Sequence, residues 1–232
     1  MIELKKNWCP SPNYGSRRNN LQPELIVIHY TAMGTQESLE RLCTPEFEVS
    51  SHYLISEQGK IYQLVDEVHR AWHAGSGNWR GLSDINSRSI GIELTNLGNT
   101  PYSLTQMASL IELMKEIIRK WGIAKENVIG HSDMAPTRKK DPGKKFDWRL
   151  LALEDLAVWP TEIDCSPVNW DLFTTSLCNF GYSIPLETLS VKNKLDLLKV
   201  FRNRFRPHHV GELDSIDMGI AKSLEKYSYS SD

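Results

Sequence analysis

Along this chain the apolar residues switch between unbroken runs, strict alternation and a three-to-four spacing, and each switch predicts an element. LIVIHY at residues 25–30 is a short continuous apolar run with His29 near its end, the pattern of a strand buried on both faces. SHYLI and KIYQLV flank Ser56 to Gly59, a turn signal that makes them a hairpin. In SIGIELTN, residues 89–96, Ile90, Ile92 and Leu94 share one face while Gly91, Glu93 and Thr95 share the other. The period then becomes helical. Ser103 and Gln106 form a capping-box pattern, Met107, Leu110, Ile111, Met114, Ile118 and Trp121 recur on one face, and Gly122 stands where a helix C-terminus expects it. Thr35 can open another helix, NVIGH reads as a last short strand delivering His131, and Asp147 can cap a helix through WRLLALEDLA.

Other stretches lack such a period. The first 24 residues are rich in Pro, Asn, Ser and Arg and read as an extended lead-in. Residues 72–89, WHAGSGNWRGLSDINSRS, read as a long polar loop with two tryptophans, and loops of that length inside a domain are usually functional. Beyond residues 160–165 the strand signals stop and three short helices are predicted, at about 168–180, 191–205 and 214–227. The expected architecture is α/β: a mixed sheet flanked by helices in residues 1–160, with a small three-helix domain in residues 165–232.

Composition narrows the function. With 232 residues, 40% hydrophobic and a net charge of −2, the chain can bury a core unaided and lacks the basic excess that nucleic-acid binding requires. Cys9, Cys43, Cys165 and Cys178 are widely spaced with no C-x-x-C pair, which argues against a thiolate zinc knuckle or dithiol site and for mostly reduced thiols. No run approaches the roughly 20 apolar residues of a membrane span. The N-terminus lacks the apolar stretch of a signal peptide, so the chain as it stands reads as cytoplasmic; had a leader been removed, the periplasm or cell envelope would be the reading.

The candidate chemistry gathers where strands end. His29 and His131 each close an apolar strand, and Asp141 follows ten residues after the second in the charged loop GHSDMAPTRKKDPGKKFDW. Two imidazoles and a carboxylate suit a catalytic zinc site, with the fourth tetrahedral position open. Glu93, on the polar face of its strand, has the right chemistry for a general base, and Lys139 for an oxyanion stabiliser.

These segments carry a resemblance. IVIHYTA, VSSHYLISEQGKIYQLV, AWHAG, SIGIELTN and GHSDMAPTRKKDPGKKFDW, in that order, resemble the zinc-dependent N-acetylmuramoyl-L-alanine amidases, in the superfamily of the peptidoglycan recognition proteins. The resemblance implies one Zn2+ held by His29, His131 and Asp141, proton transfer by Glu93 and charge stabilisation by Lys139, on peptidoglycan or muropeptide fragments. By its residue types the long loop, with Trp72, His73, Trp79 and Arg80, is expected to form a cleft wall for sugar and stem peptide, since Trp faces stack on sugar rings and Arg can fork a carboxylate, with Asn96, just after the Glu93 strand, as a further contact. Some relatives carry a tyrosine just before the histidine of the SHYLI strand, where this chain has Ser51. The C-terminal segment, from CNFGYSIPLE through FRNRFRPHHVGELDSIDMGIAKSLEKY, is similar to small three-helix peptidoglycan-binding modules, chiefly through the aromatic-basic FRNRFRP. Two alternatives remain in view. One is a non-catalytic peptidoglycan-binding protein, against which Glu93 and Lys139 both argue. The other is a zinc peptidase, for which the H-E-x-x-H signature is missing.

Overall fold

In the computed structural model, which describes residues 4–161, 163–183 and 190–229, the apolar runs meet edge to edge in one six-stranded mixed sheet. The elements in chain order are β1 (Lys6–Trp8), β2 (Tyr14–Ser16), β3 (Leu25–Tyr30), α1 (Thr35–Cys43), β4 (Tyr53–Ile55), β5 (Ile61–Gln63), β6 (His69–Ala71), α2 (Ile85–Arg88), β7 (Ser89–Leu94), α3 (Leu104–Trp121), β8 (Val128–Gly130), α4 (His131–Met134), α5 (Trp148–Leu153), α6 (Trp170–Phe180), α7 (Val191–Phe205) and α8 (Ser215–Ser223). The main sheet runs β1-β5-β4-β7-β3-β8, antiparallel only between β4 and β5, the expected hairpin. A two-stranded ribbon of β2 and β6 stands beside it. The lead-in therefore departs from expectation: β1 pairs with β5 and β2 with β6, because an extended backbone beside an open edge satisfies its hydrogen bonds by joining it.

Alternation along β3 assigns each side chain to a layer. Ile26 and Ile28 face α3, whose Met107, Leu110, Leu113, Met114 and Ile117 are buried against Ile90, Ile92 and Leu94 of β7. The helix is stopped at both ends as expected: the Ser103 hydroxyl accepts from the Gln106 amide, and Gly122 takes the left-handed conformation, φ 68°.

Leu25 and Val27 face the other way, into a cluster with Ile129, Trp79 and side chains of the C-terminal helices, among them Phe173, Phe180, Phe201 and Phe205. Across the boundary expected at residues 160–165, one apolar cluster thus joins sheet and helices. FRNRFRP lies within this packing: Phe201 and Phe205 are buried, Arg202 pairs with Asp217 at 2.5 Å, and Arg204 pairs with Asp133 of the preceding region at 2.6 Å. Residues 184–189, which contain the end of the CNFGYSIPLE segment, lie outside the described residues.

Candidate active site and metal centre

Three adjacent parallel strands end at one place and supply the site. His29 lies in register with Glu93, and Gly130 pairs with Ile28, so His131 emerges abreast of His29. Having sent Leu25 and Val27 to one face, the alternation of β3 sends His29 there too. Asp141 arrives from the loop after α4, where the Ser132 amide donates to its carbonyl at 2.9 Å.

His29 Nδ1 and His131 Nδ1 lie 2.9 Å apart, and each is 3.0 Å from Asp141 Oδ2. The outer nitrogens reveal which ring atoms are bare. Ser89 Oγ donates to Ile85 O at 2.6 Å, so it can only accept from His73 Nε2, 3.2 Å away. His73 Nδ1 is then an acceptor for His29 Nε2–H at 3.0 Å, which leaves His29 Nδ1 without a proton. His131 Nε2 donates to Ala74 O at 2.8 Å, which likewise frees its Nδ1. Two lone pairs and a carboxylate oxygen therefore converge with nothing between them to share, an arrangement that a cation resolves. Tetrahedral ligands at about 2.0–2.1 Å from zinc lie about 3.3 Å apart, within a small opening of the spacing found here. The donor set fits zinc.

Gly91 permits the relay. A Cβ at that position would meet the His73 ring at 2.5 Å, so only glycine lets the imidazole lie against the strand beside His29.

Burial sets the electrostatics. Desolvation, then the neighbouring His131, pushes His29 down to about 4, so it is the neutral, metal-binding form at physiological pH. Burial alone would raise the Asp141 carboxyl, but the two imidazoles against it outweigh this and hold it well below the usual carboxylate range. Burial, then the Asp141 charge, pushes Glu93 up to about 8, opposed by the Lys139 ammonium. Glu93 Oε2 is sealed from solvent and has no hydrogen-bond partner. A second cluster, His209, Asp214 and Asp217, has the same residue types, but Arg202 and Arg206 already neutralise its carboxylates.

The site opens into a cleft of about 220 Å³ lined by Tyr30, Arg41, Trp72, His73, Glu93 and Lys139 together with the three ligand-type residues. Of the sequence-expected contacts, Trp72 and His73 stand in this wall and three do not. Trp79 is fully buried, edge-on to Phe180 and Tyr182. Arg80 donates to the carbonyls of Phe180 and Tyr227. Asn96 is spent within its own loop, accepting from the Gly98 amide at 2.7 Å and donating to Thr100 O at 3.2 Å. The loop of residues 72–89 splits in this way because its second half is covered by the C-terminal helices, which supply an apolar partner for Trp79 that sequence reasoning had assigned to a separate domain.

Two features escaped the sequence reading. Arg41 reaches the cleft from α1, and a charged residue on a surface helix gives no sign of what it faces. Asp133 is buried, accepting from the Gly130 amide at 2.8 Å, the Tyr182 hydroxyl at 2.8 Å and Arg204 at 2.6 Å. It thereby ties the segment that starts with His131 to the C-terminal helices.

Comparison with known proteins agrees with this geometry. Residues 19–144 match the N-acetylmuramoyl-L-alanine amidase family. The N-acetylmuramoyl-L-alanine amidase AmiD of Escherichia coli is 35% identical, over 88% of this chain and 83% of its own length. The 1,6-anhydro-N-acetylmuramyl-L-alanine amidase AmpD of Haemophilus influenzae is 36% identical over 60% of this chain and 85% of its own. The structure of E. coli AmiD, in complex with its substrate anhydro-N-acetylmuramic acid-L-Ala-D-γ-Glu-L-Lys, superposes with a TM-score of 0.83 at 34% identity, over 91% of this chain and 92% of that one. AmpDh3 of Pseudomonas aeruginosa, in complex with an anhydromuramic pentapeptide, gives 0.81 at 31% identity, over 94% and 96%. Strand-end histidines, a loop aspartate, an enclosed glutamate and these matches lead to one conclusion: the chain belongs to the N-acetylmuramoyl-L-alanine amidase family.

Proposed function

We propose that this protein is a zinc amidase that hydrolyses the amide between the lactyl group of N-acetylmuramic acid and L-alanine, with muropeptides bearing an anhydro-muramic end among its substrates. One observation carries the reading: bare acceptor atoms of His29, His131 and Asp141 converge beside the unpartnered Glu93 carboxylate in an open cleft. The substrate class is supported by what AmiD and AmpDh3 hold in their complexes. Among the described residues no helix is long and apolar enough to cross a membrane.

His29, His131 and Asp141 would hold the ion, and zinc, when bound, supplies a Lewis acid that polarises the amide carbonyl and lowers the pKa of a water. Glu93 accepts the proton of the attacking water and passes it to the alanine nitrogen as the amide breaks. The Lys139 ammonium, which lines the same cleft, balances the negative charge that develops on the carbonyl oxygen. Trp72 offers an aromatic face to the sugar, and Arg41, at the same wall, a fork for a stem-peptide carboxylate. The division into a catalytic part, residues 1–160, and a wall-binding part, residues 165–232, rests on resemblance. Any contact of the second part with polymeric wall falls to its exposed surface, because Arg202 and Arg204 are enclosed in its packing.

The test is mass spectrometry of products from an anhydro-muramoyl tripeptide and from intact sacculi, with and without a zinc chelator. Chelator-sensitive release of a stem peptide beginning with a free L-alanine amine is expected. Zinc-loaded protein that binds either substrate and cleaves neither would establish the binding-protein alternative.

A further inference from the structure

Cys9 and Cys43 are 34 positions apart in sequence, yet the fold brings them together: the Cys43 thiol donates to the Cys9 carbonyl at 3.7 Å. Both are half-buried, packed on Leu42, Leu54 and Leu64. The backbone on either side of the pair is fixed. The Cys9 amide donates to Gln63 O at 2.9 Å, which anchors the end of β1 on β5. Two residues on, Ser11 Oγ donates to Leu42 O at 2.5 Å, and Asn13 Nδ2 donates to Thr44 O at 2.9 Å. Hydrogen bonds to the residues before and after Cys43 thus hold the two chain segments in register around the thiols. The Cys43 sulfur therefore lies within hydrogen-bond reach of Cys9 itself, between two backbone segments that are already fastened together.

We propose that Cys9 and Cys43 are an intrachain disulfide site, closed by exchange with a low-molecular-weight disulfide such as glutathione disulfide. One protein thiolate attacks the oxidant and releases one reduced glutathione; the second displaces the other from the mixed disulfide. Two thiols and one glutathione disulfide become one protein disulfide and two glutathiones, with the protein oxidised and the oxidant reduced. Burial, then the adjacent Cys9 thiol, pushes Cys43 up to about 12, as expected where two thiols share one partly buried site. The bond would fasten the lead-in to the last turn of α1, the helix that gives Ser38, Arg41 and Leu42 to the cleft wall. Neither Cys165 nor Cys178 shares this cluster.

The experiment incubates the native full-length protein in glutathione buffers, one reducing and one oxidising, followed by acid quench, unfolding, alkylation and non-reducing peptide mapping. Of the four cysteines, two are expected to be protected from alkylation after oxidation. The Cys9 and Cys43 peptides should be cross-linked, and the melting temperature should rise relative to the reduced sample of the same protein. Cys9→Ser should abolish both the cross-link and the oxidation-dependent shift while keeping the turnover of the reduced wild type. Four alkylatable thiols after native oxidation, or a cross-link mapped to any other pair, would overturn the proposal, and the reduced wild type serves as the reference should the variant fold poorly.

Discussion

The two faces of the sheet use the same strands differently. On the face toward α3, the side chains stay aliphatic from one end to the other: Ile26 and Ile28 on β3, and Ile90, Ile92 and Leu94 on β7. On the opposite face the character changes along each strand, from Leu25 and Val27 to His29, and from Ser89 and Gly91 to Glu93. The C-terminal helices cover the first half of that face, and the cleft takes the second. Stability and chemistry thus share one face and are divided along the strand. Charged groups at the far end are held in a low-dielectric setting by packing on both sides, which is what shifts His29 and Glu93 so far from their ordinary values.

That comparison can be broken most severely at the polar end. Asp141→Ala should lose both bound zinc and turnover, whereas Glu93→Gln should keep zinc, as read by metal analysis, and lose about 10²–10⁴-fold in kcat. An Asp141→Ala protein that keeps zinc and activity would remove it from the ligand set.

At the border between the halves, Arg204→Met leaves the buried Asp133 carboxylate without its cation and should cost about 3–5 kcal/mol in denaturant unfolding. Leu110→Ala, on the aliphatic face, should cost about 2–5 kcal/mol. The two differ in a second readout. Arg204→Met should also weaken zinc binding, because Asp133 steadies the segment carrying His131, while Leu110→Ala should leave the remaining folded protein with unchanged zinc affinity. Equal zinc affinities for both variants would break the link between helices and site.

A smaller effect is expected at the relay. His73→Ala removes the acceptor for His29 Nε2–H and should lower zinc affinity by about 10–100-fold with little change in unfolding free energy. An unchanged affinity in a competition titration would show that His29 keeps its tautomer without help.

The mildest test is pH. In metal-free protein, burial holds His29 at about 4 and His52, which also faces Arg17, at about 3, against an ordinary value of 6.5. As pH falls below 6.5 the unfolded chain binds protons that the folded chain refuses. Stability is therefore fully present above that pH and declines on acidification toward 4 by about 1.4 kcal/mol per pH unit for each imidazole. Zinc, which needs His29 unprotonated, should carry the His29 share of that decline below pH 4 and leave that of His52 unchanged, which thermal melts from pH 3 to 7 with and without zinc would resolve.

Much of this was legible in the residues. The 3.6-residue period with its Ser103 cap and Gly122 stop located α3, and strict alternation in SIGIEL assigned Glu93 to the face away from the aliphatic layer. The charged loop after His131 marked itself because so many charges seldom gather without a task. Other residues misled for a physical reason. Trp79 and Arg80 looked like cleft residues because a Trp-Arg pair in a Gly-rich loop has the same local signature whether it meets a ligand or another part of the chain. FRNRFRP carried the resemblance to peptidoglycan-binding modules, yet nothing local reveals that Asp133 and Asp217 will meet its arginines in the interior.

The sequence by itself determined the elements and the chemistry available at their ends, because period, capping and residue type act over a few neighbouring positions. Only the tertiary structure decided which groups meet. It set the relay from Ser89 through His73 to His29, the clamp of Arg204 on Asp133 and the approach of Cys43 to Cys9. Each joins positions whose proximity depends on strand register and helix docking, and those are fixed by the burial of whole faces, which no short window of residues contains.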